Sequence, residues 1–337
     1  MVWHASNIGL LAKGGCSEYK RRVSNSNAIA VEVPSATESD GWGSAAVVID
    51  ELRPSFSPLS GYVRLLNLPH GDDLRLKGVK DRVVAQFLRT PSLRSGLTRL
   101  ANNLYSGRLP TGRPPTPREL TEILDFEVCS AFLSVLYFYR RVSRIAGDNP
   151  QWRGFVELAH HRGDIGYYLG TSLPGLGGAA GLLVGSLRSL ALGYLAFRDP
   201  AGFRPYHEHL RARQLSFDVG YELTNWGFSH AQVAALFLQR MGHGSALPIA
   251  LVTGLSPGRL RGAVDQRAAH LRAAAVWIDS VYRSAKPPAL LGEDQIGLSR
   301  GEVEQLLSNV RVMVESKSRT FWLDRGEETT PGEMPEM

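Results

Sequence analysis

The sequence predicts an all-α protein. Three observations carry that expectation: helix-start signals recur along the chain, the segments after them place apolar residues on one 3.6-period face, and no alternating strand pattern occurs from about residue 55 to 325. With 337 residues, 43% hydrophobic and 21% charged, the chain has the composition of an ordinary globular protein and is long enough to bury a large core.

The elements follow in order. Residues 1–50 form a leader, poor in long apolar runs over its first 45 residues and rich there in Ser, Gly and Asn. Within it Ala28–Val33 and Ala45–Ile49 read as two short strands about the turn-prone Ser39-Asp40-Gly41, a small β-hairpin, or else the leader is unstructured. Thr90-Pro91 sets a capping hydroxyl before a proline at the first helical position, where the missing N–H costs nothing. Leu93, Leu97, Leu100 and Leu104 then make one stripe, and Gly107 offers a stop. Thr116-Pro117-Arg118-Glu119 is a capping box opening a helix through Leu120, Ile123, Leu124, Val128 and Phe132. Asn149-Pro150 and Asp199-Pro200 repeat the cap-and-proline start. Ser229-His230-Ala231-Gln232 is a second capping box, whose helix ends at Gly242, and Ser299–Glu302 is a third, leading into Val303, Leu306, Leu307 and Val310. Residues 326–337, rich in Glu, Pro and Gly, read as a frayed tail.

Ala179–Phe197 has nearly the length of a membrane span. Arg188 at its centre, costing about 2.5–3.5 kcal/mol on insertion, and its glycines and serines favour a buried core helix without membrane insertion. The two cysteines, Cys16 and Cys129, lie too far apart in sequence for a framework or a zinc motif, and fit a reducing cytoplasm.

Chemistry-bearing motifs are few. Gly175-Leu-Gly177-Gly-Ala-Ala-Gly181 lacks the preceding strand that a dinucleotide fingerprint requires, so it reads as a helix–helix junction. His160, His161, Asp164, His207, His209 and His230 are the possible metal ligands, with His160, His161, Asp164 and His230 the candidate set. Adjacent helical residues point about 100° apart, which separates His160 from His161, and the chain contains no His-Asp dipeptide. His230, at the first turn after Ser229, is expected to bond near that helix start. Asn102 or Asn103 is expected to satisfy backbone groups in the turn that follows. The net charge of +6 and pI of about 9.4 are concentrated locally: ten Lys/Arg stand between Arg75 and Arg118, with Asp81 the only acid among them. A solvated face is the plain reading, and binding of an anionic ligand or nucleic acid ranks last.

The phrases also resemble a family. Leu59–Pro69 followed by Val83–Gly107, with Pro91, Leu93 and Asn102 at its motif positions, is similar to the N-terminal subdomain of HDOD proteins, the degenerate relatives of HD phosphohydrolases. Gly185–Ala191, containing Arg188 and Ser189, resembles the stretch that replaces the family's metal-binding "LLHDIG". Glu222–Ala234, with Glu222, Gly227 and His230, resembles "E-x-x-x-x-G-x-x-H-A-x-V". Ala268–Val281 and Pro287 resemble the closing helix. The likeness covers about residues 55–325, which makes residues 51–325 the expected domain: an N-terminal helical subdomain plus a degenerate HD-like one.

The resemblance implies a cytoplasmic bacterial signal-transduction module without a cofactor, acting on a protein partner. The alternatives are a divergent metal-dependent phosphohydrolase using His160 or His161, Asp164 and His230, and an anion-binding basic face.

Overall fold

The computed structural model describes residues 36–53, 58–69, 71–105, 113, 115–215, 217–255, 266–283, 297–315 and 321–323. Fourteen helices and no strand occur among them. They are α1 (Ala36–Leu52), α2 (Pro58–Leu66), α3 (Leu74–Phe87), α4 (Pro91–Leu104), α5 (Pro117–Ile123), α6 (Phe126–Ala146), α7 (Pro150–Ser172), α8 (Gly178–Arg198), α9 (Pro200–Ala212), α10 (Val219–Trp226), α11 (His230–Met241), α12 (Ala246–Leu255), α13 (Gln266–Arg283) and α14 (Arg300–Glu315).

The signalled helix starts are observed, but the helix expected from Pro117 through Phe132 is two: α5 ends at Ile123 and Asp125 caps α6. Asn149 and Asp199 accept from the backbone N–H groups of Trp152 and Gly202, and the capping boxes of Thr116 and Ser229 are both closed. Ser299 and Glu302 exchange the corresponding bonds. Thr90 departs from expectation: it sits at the N-cap of α4 with no side-chain cap bond, leaving Pro91 to set the first turn. The expected stop at Gly107, the segment Ala28–Val33 and the tail 326–337 lie outside the described residues.

The leader is corrected in part. Ala45–Ile49 is helical, not a strand, and α1 begins at Ala36. Ala45, Val48, Ile49 and Leu52 are buried at helical spacing, so a face that packs on α6 and α11 overrides the β-branched composition of the run. Tyr137 and Arg141 of α6 donate to the carbonyl of Leu52, and Arg240 of α11 pairs with Asp50. The compact unit therefore starts at Ala36, before the expected boundary at residue 51.

At the centre, α7 and α8 form a hairpin about the turn Leu173–Gly177, in which Gly175 and Gly177 take positive φ. The two helices touch backbone to backbone. A Cβ on Gly166 would stand 2.1 Å from the Gly181 carbonyl oxygen, and one on Gly185 1.8 Å from that of Arg162. The Gly175–Gly181 run is thus a helix junction and packing face. Helix α8 is long and apolar enough to cross a membrane, yet 94% of its most apolar window is buried, packed by α6, α7, α9, α11 and α13.

Candidate functional site

Near the middle of α8, Arg188 is 2% exposed. Its Nε donates to His230 Nε2 at 3.3 Å, its Nη1 to the Ala275 carbonyl of α13 at 3.5 Å, and its guanidinium lies 4.9 Å over the Phe217 ring. Since the guanidinium only donates, His230 Nε2 is the acceptor and Nδ1 carries the proton. That Nδ1–H faces both Glu222 oxygens at 2.8 Å, and the His230 backbone N–H donates to Glu222 Oε2 at 2.7 Å. The Tyr206 hydroxyl donates to Glu222 Oε1 and accepts from the Asp218 N–H at 3.3 Å. Burial, then the charge of Glu222, pushes the Tyr206 phenol above its ordinary range. Beyond it His209 and Asp218 pair at 2.8 Å.

Local structure explains why this set assembles. Glu222 lies in α10, which Gly227 ends in the left-handed conformation at φ 72°. Ser229 then caps α11, so that His230 is its first residue and its N–H turns back onto Glu222. The spacing of Glu222, Gly227 and His230 is thus the geometry of one carboxylate read by the start of the next helix. Arg188 enters from the middle of α8. Ser189 beside it donates to the Gly185 carbonyl and accepts from Arg162. A cation at His230 would have to displace a guanidinium that occupies the lone pair and repels it.

The remaining metal candidates fall elsewhere. His160 and Asp164, one turn apart on α7, are both buried against Trp322. The N–H groups of Trp322 and Leu323 point at His160 Nδ1 (3.1 and 3.4 Å), and Asp164 accepts from the Trp322 indole (3.2 Å) and Asn103 (3.1 Å). His161 turns toward the Phe321 ring, and His207 is exposed. The candidate set therefore divides between two places, and among the described residues no group of three His, Cys, Asp or Glu is placed to share an ion. Asn103 donates across to Asp164 of α7 and Asn102 is exposed, while the turn expected to take one of them, from residue 106 on, lies outside the described residues. Pro91 and Leu93 serve the start and the buried stripe of α4.

A further buried histidine gave no sequence signal. His243, just after α11, meets Ser134 Oγ through Nε2 (2.8 Å) and Asn67 Nδ2 through Nδ1 (3.2 Å), while Asn67 Oδ1 accepts from Ser130. Because Asn67 donates to Nδ1, the imidazole proton is on Nε2 and points at Ser134, whose hydroxyl passes its own proton to the Ser130 carbonyl. This histidine donates to the serine, the reverse of what activating a nucleophile requires. Burial pushes its pKa down to about 4. Cys129 is likewise buried, and desolvation raises its thiol well above the ordinary range, the opposite of an activated thiol.

The basic stretch is largely self-compensated. Lys80 is buried, donates to the Leu66 and Leu68 carbonyls that end α2, and has its pKa lowered by desolvation against the opposing charge of Glu127. Lys77 pairs with Asp81, Arg113 with Glu119 and Arg118 with Glu122, and Arg99 donates to the Phe321 carbonyl. Arg108 is outside the described residues. Arg75, Arg82, Arg89 and Arg94 are exposed, spread over α3, its end and α4.

No family model, no curated protein and no solved structure matches the chain.

Proposed function

We propose that this chain is a non-catalytic regulatory module of the HDOD type, working through contacts with a protein partner in the cytoplasm. The observation that carries the reading is the saturation of His230: its Nε2 lone pair is held by Arg188 and its Nδ1–H by Glu222, with a fixed guanidinium where a phosphohydrolase of the resembled kind needs a metal-binding dyad. An Arg–His–Glu–Tyr chain closed on itself suits a rigid shell better than proton transfer to a substrate. The exposed arginines of α3 and α4 are few and shared between helices, which ranks an anionic ligand below a protein partner.

The test is metal analysis of the purified chain together with hydrolysis of p-nitrophenyl phosphate and its bis-ester in Mn²⁺, Fe²⁺ or Zn²⁺. The expected result is substoichiometric metal and no metal-dependent release. Stoichiometric metal with hydrolysis, both lost in His230→Ala, would establish the enzyme instead.

A further inference from the structure

Residues Phe321–Leu323 belong to no helix, yet Trp322 and Leu323 are 1% and 0% exposed. The main chain of this strap is read by side chains from two helices. Arg99 of α4 donates to the Phe321 carbonyl at 3.1 Å, and His160 Nδ1 of α7 faces the N–H groups of Trp322 and Leu323. Asp164 takes the indole N–H. The His160 ring stands edge-on to both aromatics (4.7 and 5.2 Å between centroids), and the Trp322 ring lies 5.9 Å from Phe132 of α6.

Two glycines border the strap. A Cβ on Gly96 would meet Phe132 at 2.9 Å and the Trp322 carbonyl oxygen at 3.0 Å, and one on Gly163 would meet Ser186 Oγ at 2.1 Å and the indole at 3.1 Å. A core position needs only apolar filling. Here the buried His160 and the partly exposed Arg99 bind a segment's peptide groups and the buried Asp164 its indole N–H, with one aromatic as the buried anchor and a second, Phe321, 46% exposed at the rim. That is how protein surfaces hold short peptides.

We propose that the groove between α4, α6 and α7 is a peptide-docking site filled in cis by Phe321–Leu323, and that a partner protein bearing an aromatic–Trp–aliphatic segment engages the module by displacing the strap. This identifies the partner's chemistry and rests on the reading that the chain works through protein contacts. A tethered occupant competes at an effective concentration on the order of millimolar, so the groove is masked until an external segment outcompetes it.

The test is fluorescence anisotropy of a labelled peptide of residues 319–325, Arg-Thr-Phe-Trp-Leu-Asp-Arg, against the full chain and its Trp322→Ala variant. The peptide is expected to bind the variant at least tenfold more tightly than the unaltered chain, and a peptide with Ala in place of Trp is expected not to bind. A Trp322→Ala chain with native circular dichroism that fails to bind the peptide would overturn the proposal. If that variant does not fold, hydrogen exchange on the unaltered chain decides. Amides 322 and 323 should exchange at least a hundredfold faster than those of central α8, and equal protection would make the strap an ordinary part of the core. A concentration-dependent dimer in which one copy's strap fills another's groove would overturn the assignment to a partner protein. Metal-dependent hydrolysis in the preceding assay would remove the non-catalytic reading, whereas loss of peptide binding alone removes only the groove.

Discussion

Replacing Gly181 by alanine adds one methyl group where α7 and α8 meet backbone to backbone. A Cβ there would stand 1.9 Å from the carbonyl oxygen of Gly166 and 2.9 Å from the Cα of Gly170, so α7 and α8 must part by roughly 1.5 Å to restore an ordinary contact of 3.4 Å. The obstacle is backbone, which no rotamer change relieves, placing the penalty at the upper end of the overpacking range, about 3 kcal/mol. Alanine's better helix propensity returns about 1 kcal/mol, leaving a net loss of about 2 kcal/mol. Gly154 on α7 is the control: it is exposed, nothing lies within 4 Å of its Cβ position, and Gly154→Ala should stabilise by about 0.5–1 kcal/mol. The two free energies are read from urea unfolding at unchanged slope. Equal stability of Gly181→Ala and the unaltered chain, or shifts of the same sign in both variants, would refute backbone contact as the basis of the hairpin.

The other predictions concern buried polar groups. Arg188→Ala leaves the Glu222 carboxylate without its counter-charge and should cost about 3–5 kcal/mol in urea unfolding, with most of the loss regained in the Arg188→Met, Glu222→Gln double variant; a single-variant loss under about 1 kcal/mol would contradict the network. His243 titrates at about 4 when folded against an ordinary value of 6.5, so the unfolded chain takes up this proton first. Its stabilisation is complete above pH 6.5 and falls away as pH drops toward 4, a loss of about 3 kcal/mol that should be missing from the pH profile of a His243→Gln variant.

Much of the site was visible as separate residues. Glu222, Gly227 and His230 stood out in one phrase, and the capping box at Ser229 placed His230 at a helix start, because caps and left-handed glycines act over four or five residues. Their partners were not visible. Tyr206 and Arg188 reach Glu222 and His230 across 16 and 42 residues, and no local pattern encodes such a contact. Lys80 looked like one more surface cation in a basic run, and proved to be the buried cap of α2. Phe321-Trp322-Leu323 is too short to show a period, so nothing in the sequence marked the burial of Trp322 and Leu323.

By itself the sequence determined the helical class, the main helix starts and the apolar character of α8, since propensity, capping and periodicity are interactions of near neighbours. Tertiary structure decided that the Ala45–Ile49 run is a helix, that the candidate metal ligands divide between two places, and that α7 can lie on α8 without side chains between them. Those outcomes depend on which surfaces meet, and the energy of burying a face or pairing a charge exists only once a distant segment supplies the other side.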